Sequence, residues 1–323
     1  MTDAAASAPG SAPGSADDAA ASFEPHRRFL VGLAYRMLGS VAEAEDVAQD
    51  AFLRWNATDR ARVAEPRAFL ARTASRLCLD RMKAASTRRE HYVGTWLPEP
   101  LVDPLVEPAA NAAIGVSGPG ASHATAAPDA LALAEDVSVA LLVTLERLSP
   151  LERAAFLLHD VFDMDYRDVA EVLDRSEAAC RQLAARGRDH VRDQRPRYEA
   201  TPAAVTRLAG AFHTAMFRGD LAGLARLLAE DAVLYSDGGG KRNAALNPIY
   251  GRDKILRFIA GLADKGWLPD PMRAEPARIN GLPGFVITTA EGRETLALEV
   301  SGEAIVAIYG VRNPDKLGHL GAR

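Results

Sequence analysis

The feature that most constrains this fold is the pattern of residues 149–197, which predicts three consecutive helices joined by tight connections. Ser149-Pro150-Leu151-Glu152 predicts a helix start, because Ser is a good N-cap, Pro suits the first helical position and Glu can close a capping box. A second short helix is predicted over 166–173. The turn Asp174-Arg175-Ser176 follows, with Ser176 as the cap of a third helix. This order predicts a helix-turn-helix.

The third helix of this segment has an apolar face and a basic face. The positions predicted to face the core recur at helical spacing and are Cys180, Leu183, Ala184, Gly187 and Val191. Residues 176–198 contain six Arg against three acidic residues, which suits a DNA major groove, where Arg contacts guanine edges and Gln contacts adenine edges. The predicted DNA-binding residues are Ser176, Glu177, Arg181, Gln182, Arg186 and Arg188. A solvated basic helix of an ordinary bundle is the alternative.

Length and composition exclude several classes of protein. A chain of 323 residues that is 48% hydrophobic is expected to form two or three domains with apolar cores. It has no apolar run of about 18 residues, so we expect no membrane span. Residues 1–22 resemble no secretory signal and are predicted to be a disordered tail. Cys78 and Cys180 lie far apart, so we expect neither a disulfide nor a metal site, in a cytoplasmic protein.

The distribution of charge is more informative than the net charge of −5. Residues 60–90 carry +6 and residues 176–198 carry +3, whereas the intervening 91–175 carry −10. Two basic blocks in acidic surroundings indicate a protein that contacts DNA at two places and a basic protein partner elsewhere.

A first helical domain is predicted over 23–90. One helix ends at Gly39, and Ser40 with Glu43 forms the capping box of the next. That second helix has an acidic surface formed by Glu45, Asp46, Gln49 and Asp50. Pro66 begins a third helix, and the basic side chains Arg72, Arg76, Arg81 and Lys83 lie outside its apolar stripe.

The segment 91–130 is predicted to be a linker, flexible in its second half, and a second helical domain follows over 131–198. Tyr92, Trp96, Leu97 and Leu101 are costly to leave in water, so the first part of the linker is expected to dock. From 201 to 317 we predict an α+β domain that folds independently. It has helices near 205–217, 221–228 and 253–263, and strands near 232–236, 283–289, 294–300 and 304–311 in a mostly antiparallel sheet.

Five motifs in order resemble those of extracytoplasmic-function sigma factors in the sigma-70 family. "GSVAEAEDVAQDAFLRW" resembles the polymerase-binding helix, "EPRAFLARTASRLCLDRMKAA" the −10-binding helix, and residues 148–192 the −35-binding domain. "YVGTWLPEPL", "DGGGK" and "NPDKL" resemble the subgroup with a fused C-terminal SnoaL-like domain, the sigma-J type. The resemblance implies two all-α sigma domains, the second with a helix-turn-helix, and a C-terminal α+β SnoaL-like cone.

The resemblance also implies partners and site residues. Core RNA polymerase would bind Glu45, Asp46, Gln49 and Asp50, and promoter DNA would bind both basic blocks. The implied −10 residues are Arg72, Arg76, Asp80, Arg81 and Lys83, although Ser75-Arg76 stand where relatives often have Asn. An intramolecular contact between the SnoaL-like domain and the sigma core is implied. The implied regulatory residues are Tyr92, Trp96, Leu97, Pro98, Asp237, Gly238, Gly239, Gly240, Lys241, Asn313, Pro314, Asp315, Lys316 and Leu317.

Two alternatives remain open at this point. SnoaL-like domains resemble isomerases and cyclases, for which an acid/base pair would be needed, and His213, Asp237 and Glu299 are the candidates. We expect no catalytic residue and no cofactor, while an unknown small ligand stays possible. The second alternative is a helix-turn-helix regulator that acts without polymerase and has a small-molecule-sensing or weakly enzymatic C-terminal domain. Such a protein would not need the module at 40–90.

Overall fold

The computed structural model describes residues 16–89, 92–104, 138–193, 200–265 and 273–320. Ten α-helices lie in this part of the chain, and seven of them precede the C-terminal part. The helices are α1 (Ala16–Leu38), α2 (Val41–Asn56), α3 (Pro66–Arg89), α4 (Val139–Glu146), α5 (Pro150–Phe156), α6 (Tyr166–Leu173), α7 (Glu177–Asp193), α8 (Pro202–Arg218), α9 (Leu221–Leu227) and α10 (Arg252–Asp264).

The helix boundaries follow the capping signals of the sequence. Ser149 caps α5 in a complete capping box with Glu152, and the Ser176 hydroxyl accepts a hydrogen bond from the amide of Ala179 at the start of α7. Gly39 ends α1 with a φ of +72°, a conformation that favours glycine. The predicted helix-turn-helix of α6 and α7 is therefore confirmed.

The predicted disordered tail 1–22 is wrong in its last part. Residues 16–22 form the first turns of α1, and residues 1–15 lie outside the described part of the chain. Ala19 is fully buried, and the Trp55 indole N–H donates to the Ser22 hydroxyl at 3.1 Å. Alanine is a strong helix former, and packing against α2 stabilises a segment whose composition alone indicates disorder.

The two helical groups, α1–α3 and α4–α7, share one hydrophobic core. Arg153 of α5 is 1% exposed, and its guanidinium donates to the Met37 carbonyl of α1 at 2.6 Å and pairs with Glu146 at 2.7 Å. The rings of Phe29 and Phe162 meet edge to face across the same boundary, with centroids 5.0 Å apart. A buried charge is tolerated only where it is paired and hydrogen-bonded, so these contacts fix the two groups against each other.

The C-terminal part is built on a seven-stranded sheet in the order β1-β4-β5-β6-β7-β2-β3. Neighbouring strands are antiparallel except for β2 and β7, which are parallel. The strands are β1 (Val102–Pro104), β2 (Leu228–Asp237), β3 (Ile249–Tyr250), β4 (Arg273–Ile279), β5 (Leu282–Thr289), β6 (Gly292–Ser301) and β7 (Ala304–Val311). The predicted α+β fold with a mostly antiparallel sheet is confirmed.

Three strands were missing from the sequence-based expectation, namely β1, β3 and β4. Strand β1 comes from the linker and pairs with β4, with Val102 opposite Ile279. It is three residues long and carries Pro104, so it lacks the alternating pattern that predicts a strand. The edge of the C-terminal sheet is therefore completed by a segment that belongs, in sequence, to the linker.

The two faces of the sheet are covered by different parts of the chain. One face packs against α8 and α10 through a cluster that includes Phe212, Ile259 and Phe285. The opposite face forms a second cluster with Leu97 of the linker and Val139 of α4. Both faces of the sheet are apolar, so both must be shielded from water. The C-terminal helices shield one face, and the linker and α4 shield the other.

No helix among the described residues combines the length and apolar character needed to cross a membrane. Within the same part of the chain, no group of three or more His, Cys, Asp or Glu side chains is placed to hold a metal ion. Cys78 and Cys180 are both buried on helices.

Gly187 of α7 provides a test of helix packing, because a Cβ there would lie 2.8 Å from Cβ of Phe156 on α5. We expect Gly187→Ala to destabilise the helical core by about 1–3 kcal/mol, since overpacking outweighs the gain in helix propensity. Gly261 of α10 is the matched control, because a Cβ there meets nothing within 4 Å. Gly261→Ala should stabilise the fold by about 0.5–1 kcal/mol. Urea unfolding of both variants measures the difference, and equal effects would contradict close packing at Gly187.

Candidate functional site

The carboxylate of Asp237, at the end of β2, is fully buried and joins three separate segments. Its Oδ1 accepts hydrogen bonds from the Tyr92 hydroxyl at 2.5 Å and the Gly239 amide at 3.0 Å. Its Oδ2 accepts from the Leu97 amide at 2.8 Å and from Lys316 Nζ at 2.7 Å. Four donors on one carboxylate are the arrangement that lets a charge be buried at tolerable cost.

Lys316 is the counter-ion of Asp237, and its side chain is 13% exposed. Its ammonium group also donates to the Leu97 carbonyl and lies over the rings of Trp96 and Tyr92, 4.1 and 5.1 Å from their centroids. Cation–π attraction and a charge-assisted bond therefore act on the same linker segment. We call Tyr92, Leu97, Asp237, Asn313 and Lys316 the Asp237 clamp.

Asn313 completes the clamp by donating from Nδ2 to the Tyr92 hydroxyl at 2.9 Å. The backbone amides of Arg312 and Asn313 both donate to the Asp237 carbonyl, at 2.8 and 3.0 Å. Burial, together with the bond to the Asp237 carboxylate, raises the pKa of the Tyr92 phenol well above its usual value. Tyr92 therefore acts as a hydrogen-bond donor at any physiological pH.

The Gly238-Gly239-Gly240 loop allows the linker to lie close to the end of β2. Gly239 and Gly240 have φ values of +59° and +70°, and a Cβ on Gly240 would lie 3.1 Å from the Val93 side chain. Lys241 and Asp315 form an exposed ion pair at 2.6 Å beside the clamp. Asp237 thus lies at the start of a tight glycine loop and is buried as the ion-pair partner of Lys316.

The linker also binds the first helical group, through Glu99. The Glu99 carboxylate accepts from the Val41 amide at 2.8 Å and the Ser40 hydroxyl at 3.1 Å, so it caps the N-terminus of α2. His319, near the C-terminus, lies 3.2 Å from its other oxygen. Burial would raise the pKa of Glu99, but the bonds from His319, Val41 and Ser40 hold it below its ordinary value.

Asn280, in the turn between β4 and β5, was not identified from the sequence. It is fully buried, accepts from the Leu101 amide at 3.0 Å and donates to the Tyr35 hydroxyl of α1 at 2.7 Å. Tyr35 in turn donates to the Glu99 carbonyl at 2.7 Å. The only sequence signal was Asn280-Gly281, a common turn pair, and its φ of +46° is typical of Asn in a turn. Its role in joining α1, the linker and the sheet depends on tertiary structure alone.

The acidic surface of α2 is accessible. Glu45, Asp46 and Gln49 are exposed, and Asp50 is half-buried. Arg81 of α3 pairs with Asp50 at 2.8 Å and with Asp46 at 3.7 Å. The structure thus places one predicted −10 residue against two predicted polymerase-binding residues.

The other predicted −10 residues lie along the exposed side of α3. Arg76 and Asp80 are exposed, and Lys83 lies 3.5 Å from Asp80. Arg72 is paired with Glu171 of α6, in the second helical group. This basic surface is therefore partly covered by the helix-turn-helix.

The basic face of α7 is open to solvent. Ser176, Glu177, Arg181, Gln182, Arg186 and Arg188 are all exposed. Arg181 pairs with Glu177 at 2.6 Å, and Arg188 pairs with Asp160 at 2.5 Å. These are surface ion pairs, which exchange readily for phosphate or base contacts.

The three acid/base candidates of the C-terminal domain are engaged with different neighbours. His213 packs against Phe285, with ring centroids 5.2 Å apart. Asp237 is in the clamp, and the Glu299 carboxylate accepts from the Tyr309 hydroxyl at 2.6 Å. Burial raises the pKa of Glu299 and lowers that of His213. These contacts engage each of the three groups with a different neighbour.

Comparison with known proteins agrees with this geometry. The family model for Sigma-70 region 2 matches residues 23–88, and that for Sigma-70 region 4 matches residues 138–191. The ECF RNA polymerase sigma factor SigJ of Mycobacterium tuberculosis (strain ATCC 25618 / H37Rv) is 39% identical over 304 residues, which cover 91% of each chain. The probable ECF RNA polymerase sigma factor SigI of Mycobacterium tuberculosis (strain CDC 1551 / Oshkosh) is 35% identical over 66% of this chain and 67% of its own length.

A solved structure shows the same architecture. The crystal structure of the Mycobacterium tuberculosis extracytoplasmic function sigma factor SigJ has a TM-score of 0.71 and 36% identity, and the match covers 93% of this chain and 98% of that chain. Two helical domains with a helix-turn-helix, followed by a mixed α+β domain, define a sigma factor of the sigma-70 type. This chain belongs to the extracytoplasmic-function sigma factors of the sigma-70 family.

Asp237→Asn tests the clamp, because it keeps the shape of the side chain and removes the charge that pairs with Lys316. Removing one partner of a buried ion pair costs about 3–5 kcal/mol, so the amides of Leu97 and Leu101 should exchange with solvent at least 100-fold faster. Lys241→Met is the control, because it breaks an exposed pair worth about 0–1 kcal/mol. Hydrogen exchange followed by mass spectrometry measures both variants. Unchanged protection of 92–101 in Asp237→Asn would show that the clamp does not hold the linker.

Proposed function

We propose that this sigma factor directs core RNA polymerase to promoters and is restrained by its own C-terminal domain. In this proposal, α2 binds polymerase, α3 binds the −10 element, α7 binds the −35 element, and the Asp237 clamp holds them in a closed arrangement. The observation that carries the proposal is the buried Asp237 carboxylate, which ties the linker between the two sigma domains to the carboxyl ends of the neighbouring strands β2 and β7.

The shared core of the helical groups supports a restrained state. Elements centred about 25 base pairs apart lie about 85 Å apart along straight B-DNA, at about 3.4 Å per base pair. The two helical groups are in direct contact, and Arg72 of the −10 surface is paired with Glu171 of the helix-turn-helix. A closed arrangement of this kind cannot occupy both elements at once. Promoter binding therefore requires the groups to separate.

Through the linker, the C-terminal domain can control whether the two helical groups separate. Leu97 packs into the cluster on the sheet and Leu101 packs into the shared helical core. Val139 of α4 packs on the same sheet face as Leu97. The C-terminal domain contacts Tyr35 of α1 through Asn280 and Val139 of α4 through the sheet. Since these contacts lie on both sides of the linker, release of the clamp would free the second helical group to move away from the first.

The alternative of a helix-turn-helix regulator that acts without polymerase is not favoured. Such a protein has no need of α2 and α3, yet the Sigma-70 region 2 model matches residues 23–88. The relatives that align over most of this chain are sigma factors.

Run-off transcription with core polymerase tests the restraint. We expect Asp237→Asn to increase transcript yield at a promoter that the wild-type protein recognises, because the closed state is weakened. Arg207→Met, which breaks the exposed ion pair with Glu303 and lies outside the implied regulatory residues, should give wild-type yield. Circular dichroism establishes that both variants keep the wild-type helix content. A yield from Asp237→Asn equal to or below that of the wild-type protein would refute restraint by the clamp.

Polymerase binding is tested at the residues of the acidic surface that form no ion pair with Arg81. Glu45→Lys with Gln49→Lys should weaken co-purification with core polymerase at least 10-fold, because both side chains are exposed and the partner is expected to be basic. Stability should change by less than about 0.5 kcal/mol. Arg54→Glu, on an exposed position of the same helix, controls for a general effect of surface charge. Undiminished co-purification of the double variant would reject this surface.

The recognition helix is tested by comparing positions along α7. Arg181→Ala and Gln182→Ala should each weaken binding to the preferred −35 sequence by about 1–3 kcal/mol and reduce discrimination between sequences. Arg192→Ala, farther along the helix, should weaken binding evenly across sequences. Fluorescence anisotropy with a set of single-base promoter variants measures the affinity of each protein variant for each sequence. The same loss on every sequence for all three variants would rule out base contacts by α7.

A further inference from the structure

Glu299 of β6 is a second buried carboxyl group, and it lies on the sheet face that α4 covers. It is 8% exposed. Ala297, two positions earlier on the strand, belongs to the same cluster as Val139 of α4, and alternate residues of a strand share a face. Tyr309 of β7 is in this cluster too, and its hydroxyl donates to the Glu299 carboxylate at 2.6 Å. Glu299 therefore lies in the contact between the sheet and the first helix of the second helical group.

The surroundings of Glu299 differ from those of Asp237. Asp237 accepts four hydrogen bonds, one of them from the ammonium group of Lys316. Within the described residues, Glu299 has a single donor, the Tyr309 hydroxyl, and no ion-pair partner. A buried charge with one neutral donor is poorly compensated, so this site favours the neutral carboxyl of Glu299.

The charged and titratable groups around Glu299 keep their charge state near neutral pH. They are Tyr309 on β7, Tyr235 on β2, whose ring stacks on that of Tyr309, and Arg147, which follows α4 and donates to the Tyr235 hydroxyl. Burial raises the pKa of both phenols, and a guanidinium stays protonated. Burial also raises the pKa of Glu299, and the Tyr309 hydrogen bond offsets this only in part. Glu299 is therefore the group of this cluster whose charge changes first as the pH rises from acidic to neutral.

We propose that the contact between α4 and the C-terminal sheet depends on pH, with the Glu299 carboxyl as the group that binds the proton. The carboxyl is buried in the closed arrangement and enters water when α4 moves away, so the closed arrangement binds the proton more tightly. Its extra stability is complete below the ordinary pKa of a glutamic acid, about 4.3, and is lost as the pH rises through the higher pKa of the closed arrangement. A fall in pH therefore tightens the contact.

The effect of this contact on transcription rests on the restraint proposed above, because a tighter contact would hold the second helical group against the first. The contact itself is tested without polymerase or DNA. Failure of the pH-dependent contact is therefore distinguishable from failure of the restraint.

Hydrogen exchange of the full-length protein, followed by mass spectrometry, measures opening at α4. Rates for residues 139–146 are divided by the intrinsic exchange rate at each pH, and the wild-type protein is compared with Glu299→Gln, whose amide oxygen can still accept from Tyr309 but cannot ionise. We expect the ratio of wild-type to variant rate to rise about 3-fold or more between pH 5 and pH 8. Glu303→Gln, at an exposed position between β6 and β7, is the matched control and should follow the wild-type protein at every pH.

A carbon-13 NMR titration of the Glu299 carboxyl in the wild-type protein needs no variant, and its midpoint should lie above the ordinary value for a glutamic acid. A rate ratio that is the same at pH 5 and pH 8 would assign Glu299 to packing alone and overturn the proposal. A Glu299 carboxyl that titrates at the ordinary pH would overturn it as well. If the rate ratio rises as expected while Asp237→Asn does not increase transcript yield, the pH-dependent contact stands and the restraint does not.

Discussion

The buried carboxylate of Asp237 is the interaction on which the arrangement of this protein depends. A charge removed from water is tolerated only when its acceptor positions are filled, and here the donors come from Tyr92, Gly239, Leu97 and Lys316. These donors belong to three stretches of chain that are far apart in sequence. Satisfying one charge therefore brings the linker, the glycine loop and the C-terminal turn to one point.

The linker segment held by this clamp makes further contacts with the sheet and with the first helical group. The linker continues from Leu97 to β1, the edge strand that pairs with β4. Asn280, directly after β4, links the sheet to Tyr35 of the first helical group. Glu99, between these points, caps α2. The N-terminus of α2 is thus held by the same segment that adds the edge strand β1 to the sheet. The C-terminal domain and the sigma domains are consequently parts of one packed structure, although the chain connects them through a long linker.

The sequence predicted much of the candidate site but not its geometry. The resemblance named Tyr92, Leu97, Asp237, Asn313 and Lys316, and the structure brings these five together. Tyr35, Glu99, Asn280 and His319 were missed because each lacks a local signal that separates it from an ordinary helix, loop or turn residue. Their partners lie far along the chain, for instance 245 positions between Tyr35 and Asn280. Such pairings depend on which faces meet and cannot be obtained from spacing.

By itself, the sequence determined the local elements: the capped helices at Ser149 and Ser176, the end of α1 at Gly39, the basic face of α7 and the alternating strands of the C-terminal sheet. These follow from short-range effects, namely capping, helical periodicity and the conformational freedom of glycine. Only the tertiary structure decided that residues 16–22 are helical, that Val102–Pro104 is a sheet strand and that the two helical groups share a core. The physical reason is that burial of apolar faces and satisfaction of buried polar groups act between segments distant in sequence, so composition and local pattern carry no record of them.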